Sequence, residues 1–262
     1  MHRMATDQRS DAAWAEDQLK PEALGNAACL SCHASIGERL STHTHHAAES
    51  SGSSCYNCHM PYTTYGLLKT IRSHQISSPS VQASVDSGRP NACNLCHLDK
   101  THQWTADYLQ QWYNTPPPRS MSDDDRTVAA ALVSLLRGDA GQRAIIAQAF
   151  GSPDAQKASG TNWMAPYVSL LLNDSYDAVR YIAARTLKTL PGFENFAFDF
   201  AGSEGERAAN QRRALGLWRD MRDRQGRRGD QTLLFNPDGS FIADRIDRLS
   251  NQRNNRRVFY RE

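Results

Sequence analysis

The six cysteines of the chain fall into three copies of one pattern, Cys-x-x-Cys-His: Cys29-Leu30-Ser31-Cys32-His33, Cys55-Tyr56-Asn57-Cys58-His59 and Cys93-Asn94-Leu95-Cys96-His97. This pattern is the attachment signature of c-type haem. Two thioethers would fix each porphyrin through the paired cysteines, and the adjacent histidine would supply the proximal iron ligand. The reading is three covalently attached haem c groups held by Cys29, Cys32, Cys55, Cys58, Cys93 and Cys96, with His33, His59 and His97 as metal ligands. Competing uses of paired cysteines fit less well. A zinc site needs two such pairs per metal and gives no reason for a histidine after every second cysteine. A thioredoxin-like dithiol expects one motif in a βαβ setting, which the chain lacks. A disulfide framework would not repeat one spacing three times.

With 262 residues, the chain has room for one large or two smaller domains. Hydrophobic residues make up 39% and charged residues 22%, the mean hydropathy is −0.64, and the formal charge is +2. This is an ordinary soluble composition. It contains no apolar run long enough to span a bilayer, and its charge does not point to nucleic acid. No secretory signal stands at Met1-His2-Arg3-Met4-Ala5. Covalent haem attachment takes place outside the cytoplasm in bacteria, so the expectation is a mature chain whose export signal has been removed. That places it in the periplasm, outside the cell or at the cell surface.

Two regions differ in character. Residues 1–20 read as an extension and 21–118 as a trihaem domain. Every histidine except His2 lies in the second of these stretches. Apolar residues are sparse between the motifs, and Ser50 to Ser54 is small and polar throughout. Such a stretch cannot build a core from its own side chains, so the haems would be the core, wrapped by loops and short helices. Tyr113-Asn114-Thr115-Pro116-Pro117-Pro118 stops helical structure and reads as a linker.

Residues 119–262 read as an α-helical domain with an arginine-rich tail. Apolar residues recur at helical spacing at Val128, Leu132, Leu135 and Leu136; at Ile145, Ile146 and Phe150; at Met164, Val168, Leu171 and Leu172; and from Val179 through Leu190. Leu215, Trp218 and Met221 suggest a fifth helix. Asp174 or Ser175 is the expected cap of the fourth. Leu233 to Ile242 reads as a small hairpin, with a short helix from Ala243 to Leu249. Arg212, Arg213, Arg227, Arg228, Arg253, Arg256 and Arg257 read either as a solvated face or as partners for haem propionates or an acidic protein. The fold class expected is therefore mainly α.

The second axial position of each iron decides between a wire and an enzyme. A strong ligand there leaves no place for substrate, whereas an open position permits binding of a small molecule. His2, His43, His45, His46, His74 and His102 are available for three positions. Met60 cannot turn back onto the iron of His59 and reads as packing. Tyr56, Tyr62, Tyr65, Trp104 and Trp112 read as packing on porphyrin faces and edges.

The segment Leu172-Asn173-Asp174-Ser175-Tyr176-Asp177-Ala178-Val179-Arg180-Tyr181-Ile182-Ala183-Ala184 resembles the second helix of a HEAT-type repeat. That family stacks antiparallel helix pairs into a solenoid, and a generic helical bundle accounts for the pattern equally well. Residues 29 to 113 resemble multihaem cytochromes of the cytochrome c554 and small bis-histidine classes, which are often joined to helical repeats. The resemblance rests on the first motif, His43-Thr44-His45-His46, Cys55-Tyr56-Asn57-Cys58-His59-Met60-Pro61, Arg72-Ser73-His74, Pro90-Asn91-Ala92-Cys93-Asn94-Leu95-Cys96-His97, Asp99-Lys100 and Trp104. It implies bis-histidine haems with His43, His46 and His74 as distal metal ligands. The function expected is electron relay between redox partner proteins that dock on the helical domain or an exposed haem edge. The alternatives are a fixed subunit of a membrane complex or extracellular filament, and a small-molecule reductase with one open haem.

Overall fold

The structure, a computed structural model, describes residues 24–66, 69–225 and 229–256. The extension 1–20, His2, Arg227, Arg228 and Arg257 lie outside the described residues.

The motif region forms helices too short to stand alone. They are α1 (Ala27–Leu30), α2 (Ala34–Gly37), α3 (Leu40–Thr44) and α4 (Cys55–His59), and none of them contains a buried residue. Helices of one turn do not persist in water without packing, and these four contribute no buried residue of their own. A two-stranded antiparallel hairpin follows, β1 (Tyr62–Gly66) with β2 (Lys69–Arg72), pairing Tyr65 with Thr70 and Gly66 with Lys69. The guanidinium of Arg72 lies 4.1 Å from the centre of the Tyr62 ring.

Two longer helices bracket the third motif. In α5 (Val81–Ser87), the Ser80 hydroxyl accepts from the N–H of Ala83. In α6 (His102–Tyr113), the Thr101 hydroxyl accepts from the N–H of Trp104, a regular N-cap. Val81, Ala106 and Leu109 close the contact between them. The chain leaves α6 through Asn114 in the left-handed conformation, and the prolines that follow have no regular structure.

Beyond the prolines lie α7 (Asp123–Thr127), α8 (Ala130–Arg137), α9 (Ala140–Phe150), α10 (Pro153–Ser159), α11 (Met164–Leu170), α12 (Asp177–Leu187), α13 (Glu204–Gln225) and α14 (Ala243–Asn251). Capping boxes start α7, from Ser122 and Asp125, and α9, from Asp139 and Gln142. Four of the expected apolar stripes lie inward, with Leu132, Leu135, Leu136, Ile146, Phe150, Val168, Leu171, Val179 and Leu187 buried in one core, while the fifth buries Trp218 and leaves Leu215 and Met221 half-buried. α9 packs on α8 and α12, α11 packs on α12 and α13, and α14 packs on α8. The fold is mainly α. The expected hairpin at the tail is a turn closed by a single bridge between Phe235 and Phe241.

The cap of α12 differs from expectation. Its N-cap is Tyr176. Asp174 instead receives both Nε and Nη2 of Arg143, at 2.7 and 2.9 Å, and its Oδ1 also accepts from the N–H of Tyr176. A buried arginine outcompetes a helix end for that carboxylate because the paired fork offers two charge-assisted bonds. Several tail arginines also work inside the fold. Arg213 donates to the Ala197 carbonyl, Arg253 to the Leu136 carbonyl, and Arg245 and Arg248 both to Asp124. Arg212 and Arg256 are exposed.

The helical core reaches across the prolines to the motif region. Leu98, next to His97, is fully buried in it. The Ser159 hydroxyl receives the N–H of Leu98 and donates to the Cys96 carbonyl, at 2.8 and 2.9 Å. The β hairpin rests on α9. Among the described residues, no helix is long and apolar enough to cross a membrane.

Candidate functional site

Side-chain amides lock the three motifs in place. Asn26, just before α1, donates to the Ser53 carbonyl and accepts from the N–H of Cys55, at 2.8 and 2.9 Å, which clamps the first motif to the second. Within the second motif, Asn57 donates to the Ser51 carbonyl and accepts from Arg72 at 2.7 Å. In the third, Asn94 donates to the Lys100 carbonyl and accepts from the Thr105 hydroxyl, while Asn91 accepts from the N–H of Cys93. The variable positions of two motifs thus hold their own loops.

The thiols of the third motif argue against a dithiol reductant there. Burial pushes Cys93 up to about 12 and Cys96 up to about 11, the latter with help from Asp154. Reactive dithiols need the opposite shift. Among the described residues, no group of three or more His, Cys, Asp or Glu side chains is placed to hold a metal ion. A zinc site requires such a group. A haem iron does not, because the porphyrin supplies four of its ligands and the protein at most two.

The histidine rings carry the clearest signal. His43 faces His59 with ring centroids 6.3 Å apart and planes within 13°. His46 faces His97 at 6.0 Å and 32°. Rings in direct contact stack much closer than this, as His45 does on Trp112 at 4.0 Å. A metal–nitrogen bond is about 2.0 Å, and a ring nitrogen lies about 1.1 Å from its ring centre. Two imidazoles on opposite sides of one metal therefore stand about 6 Å apart. The two pairs stand at the spacing that two imidazoles sharing one metal would take.

The second nitrogens fit as well. Nδ1 of His59 donates to the Ser77 carbonyl at 3.1 Å, and Nδ1 of His46 donates to the Thr44 carbonyl at 2.6 Å. Each bond fixes the ring and leaves Nε2 as the free electron-pair donor, the usual arrangement of a metal-bound histidine. Burial, with the facing His59 next, holds His43 below its ordinary value; burial, with His46 next, does the same for His97.

His33 and His74 are both exposed, and the structure does not join them in a pair of this kind. His102 is buried, and its Nδ1 donates to Asp125 at 3.1 Å, tying α6 to α7. A recess of about 190 Å³ beside the second motif is lined by Cys58, Pro61, Ser77, Arg89 and Asn91. A larger one of about 400 Å³ lies in the helical region between Trp163, Trp218 and Phe235, and meets the motif region only through Asp99.

Several positioning residues carried no sequence signal that was read. Gly52 is the sharpest case. A β-carbon there would fall 2.2 Å from Cδ2 of His46, so only glycine lets the ring lie against the backbone. A glycine a few residues before a motif is the cue that could have flagged such an approach.

The family model described as cytochrome c552 matches residues 38–144. That span takes in both ring pairs, the second and third motifs, and α6. The match supports a c-type cytochrome. With the Cys-x-x-Cys-His motifs, it extends to covalently bound haem c and to a place in electron transfer. No curated protein and no solved structure matches the chain.

Proposed function

We propose that this c-type cytochrome carries three haems and relays electrons between redox partner proteins. Bound haem supplies a one-electron iron couple at each of three neighbouring attachment sites. The single observation that carries the reading is the pair of facing imidazoles, His43 with His59 and His46 with His97, at 6.3 and 6.0 Å. On this assignment His43 closes the haem of the second motif and His46 that of the third. His74 is the ligand left for the haem of His33. Cys29 and Cys55 are close enough to share a thiol hydrogen bond, and Cys58 bears electrostatically on Cys93 and Cys96. This supports an order of first, second and third haem along the module.

The protein supplies ligands, orientation and shielding. Arg89, on the recess beside Cys58, is placed to meet a propionate by its guanidinium fork. The functional division is a trihaem part, 21–118, and a helical part, 119–262, of HEAT-like or simple bundle type, which offers the surface for a partner. Closed irons favour a relay or a fixed subunit of a respiratory, photosynthetic or filament assembly, in the periplasm or at the cell surface. His33 and His74 are both exposed, so the second reading is reduction of a small molecule at the first haem, should His74 not bind it.

Low-temperature EPR of the oxidised holoprotein, with a CO test after reduction, decides between them. Three low-spin signals and no CO adduct are expected. A high-spin signal with a CO adduct identifies an open iron, ends the pure relay reading, and moves the search to a substrate.

A further inference from the structure

α6 reaches both ring pairs, meeting His97 near its start and His43 at its end. Its 12 residues make a rod of about 18 Å. Near its start, Trp104 lies against His97 with ring centroids 5.1 Å apart. Trp104, Tyr108 and Trp112 follow at four-residue intervals on one helix face, with successive centroids 4.7 and 4.6 Å apart. At the far end, Trp112 stacks on His45 at 4.0 Å and 10°, and the Tyr113 hydroxyl donates to the carbonyl of His43.

His45 sits in the turn between the two distal histidines. Its φ of 56° and ψ of 29° place it in the left-handed region, which residues with a β-carbon avoid. One left-handed residue ends α3 and swings the chain. The side chains on either side of the bend are thereby sent to different partners, His43 to His59 and His46 to His97. A conformation that is unfavourable in isolation persists only when its surroundings fix it. Trp112 covers the His45 ring, and the N–H of His45 reaches the Ser41 carbonyl at 2.8 Å.

We infer that Trp112 and Tyr113 are positioning residues for the distal ligands: Trp112 holds the His45 bend, Tyr113 holds the backbone of His43, and the end of α6 thereby keeps two irons closed. This rests on the axial pairs proposed above.

The test compares holoprotein carrying the full haem complement as wild type, Trp112→Ala, Trp112→Phe and Tyr113→Phe, each by EPR, CO titration and redox titration. If two or more haems of the wild type bind CO, the axial pairing itself fails, and the inference fails with it. With the wild type closed at those haems, Trp112→Ala is expected to add one or two CO-binding haems per molecule. Trp112→Phe keeps a ring for stacking and is expected to restore the closed state. Tyr113→Phe removes a single oxygen and is expected to move the g-values and midpoint potential of one low-spin haem only. Trp112→Ala with wild-type spectra and no added CO binding overturns the inference. If Trp112→Ala does not mature, Tyr113→Phe decides alone, and wild-type spectra and potentials there overturn it.

Discussion

Gly52→Ala is the smallest change that should open a haem. The β-carbon it adds would sit 2.2 Å from Cδ2 and 2.4 Å from Cγ of His46. Ordinary contact between carbons begins at roughly 3.4 Å, so the ring would have to retreat by about 1.2 Å. A metal–nitrogen bond tolerates only about 0.2 Å. The ring has little freedom to swing aside, because its Nδ1 is bonded to the Thr44 carbonyl at 2.6 Å. The backbone has little freedom to yield, because Ser53 is tied to Thr44 by a hydroxyl bond of 2.8 Å and to Ser50 by a backbone bond of 2.9 Å. The fold should absorb the added methyl at a cost of about 1–3 kcal/mol, so holoprotein remains available for assay. The expected result is one additional CO-binding haem after reduction and one additional high-spin EPR signal after oxidation, with haem content unchanged. Gly216→Ala, where an added β-carbon meets nothing within 4 Å, is the control. If Gly52→Ala keeps every haem low-spin and unreactive to CO, His46 is not an iron ligand in this position.

Two further outcomes concern the scaffold. Arg143→Met leaves the carboxylate of Asp174, fully buried in the wild type, without its bidentate partner. Denaturant unfolding should show a loss of about 3–5 kcal/mol, lessened by Arg253, which stands 3.6 Å away; an effect below about 1 kcal/mol would mean that the pair does not bear load. The hydrogen bond from Arg248 to Asp124 holds this carboxyl below its ordinary value. Its contribution is therefore present above pH 4 and lost as the pH falls through the lowered value. Asp124→Asn should cost about 1 kcal/mol at pH 7 and progressively less in acid, where an equal loss at pH 7 and pH 3 in thermal melts would refute the linkage.

The chemistry of this chain is legible in its sequence because residue identity and strict local spacing specify it. Three Cys-x-x-Cys-His motifs name their cofactor without any knowledge of the fold. The apolar stripes of α8, α9, α11 and α12 are legible for a similar reason, since burial on one face must repeat with the helix period. His43 and His46 stand out as a pair, yet their partners do not. Which ring each one faces, His59 or His97, goes with the left-handed turn at His45, and histidine does not announce that conformation as glycine would. The role of Gly52 was hidden by its neighbours, a run of serines that reads as surface. α7 and α10 are short and polar; α7 is started by a capping box and α10 by Pro153 at its first turn, and neither shows a stripe. Asp174 had the right chemistry for a cap, but the competing arginine lies 31 residues earlier and is invisible to local reading.

Leu98 has a practical consequence. It follows directly on the third haem motif, yet it belongs to the hydrophobic interior of the helices beyond the prolines. A chain ended at residue 118 would bare that side chain, strip Cys96 and Leu98 of their bonds to Ser159, and leave the hairpin without the helix beneath it. The haem-bearing part is thus no portable cassette for grafting onto another scaffold; a smaller electron carrier cut from it would have to be given a new floor first.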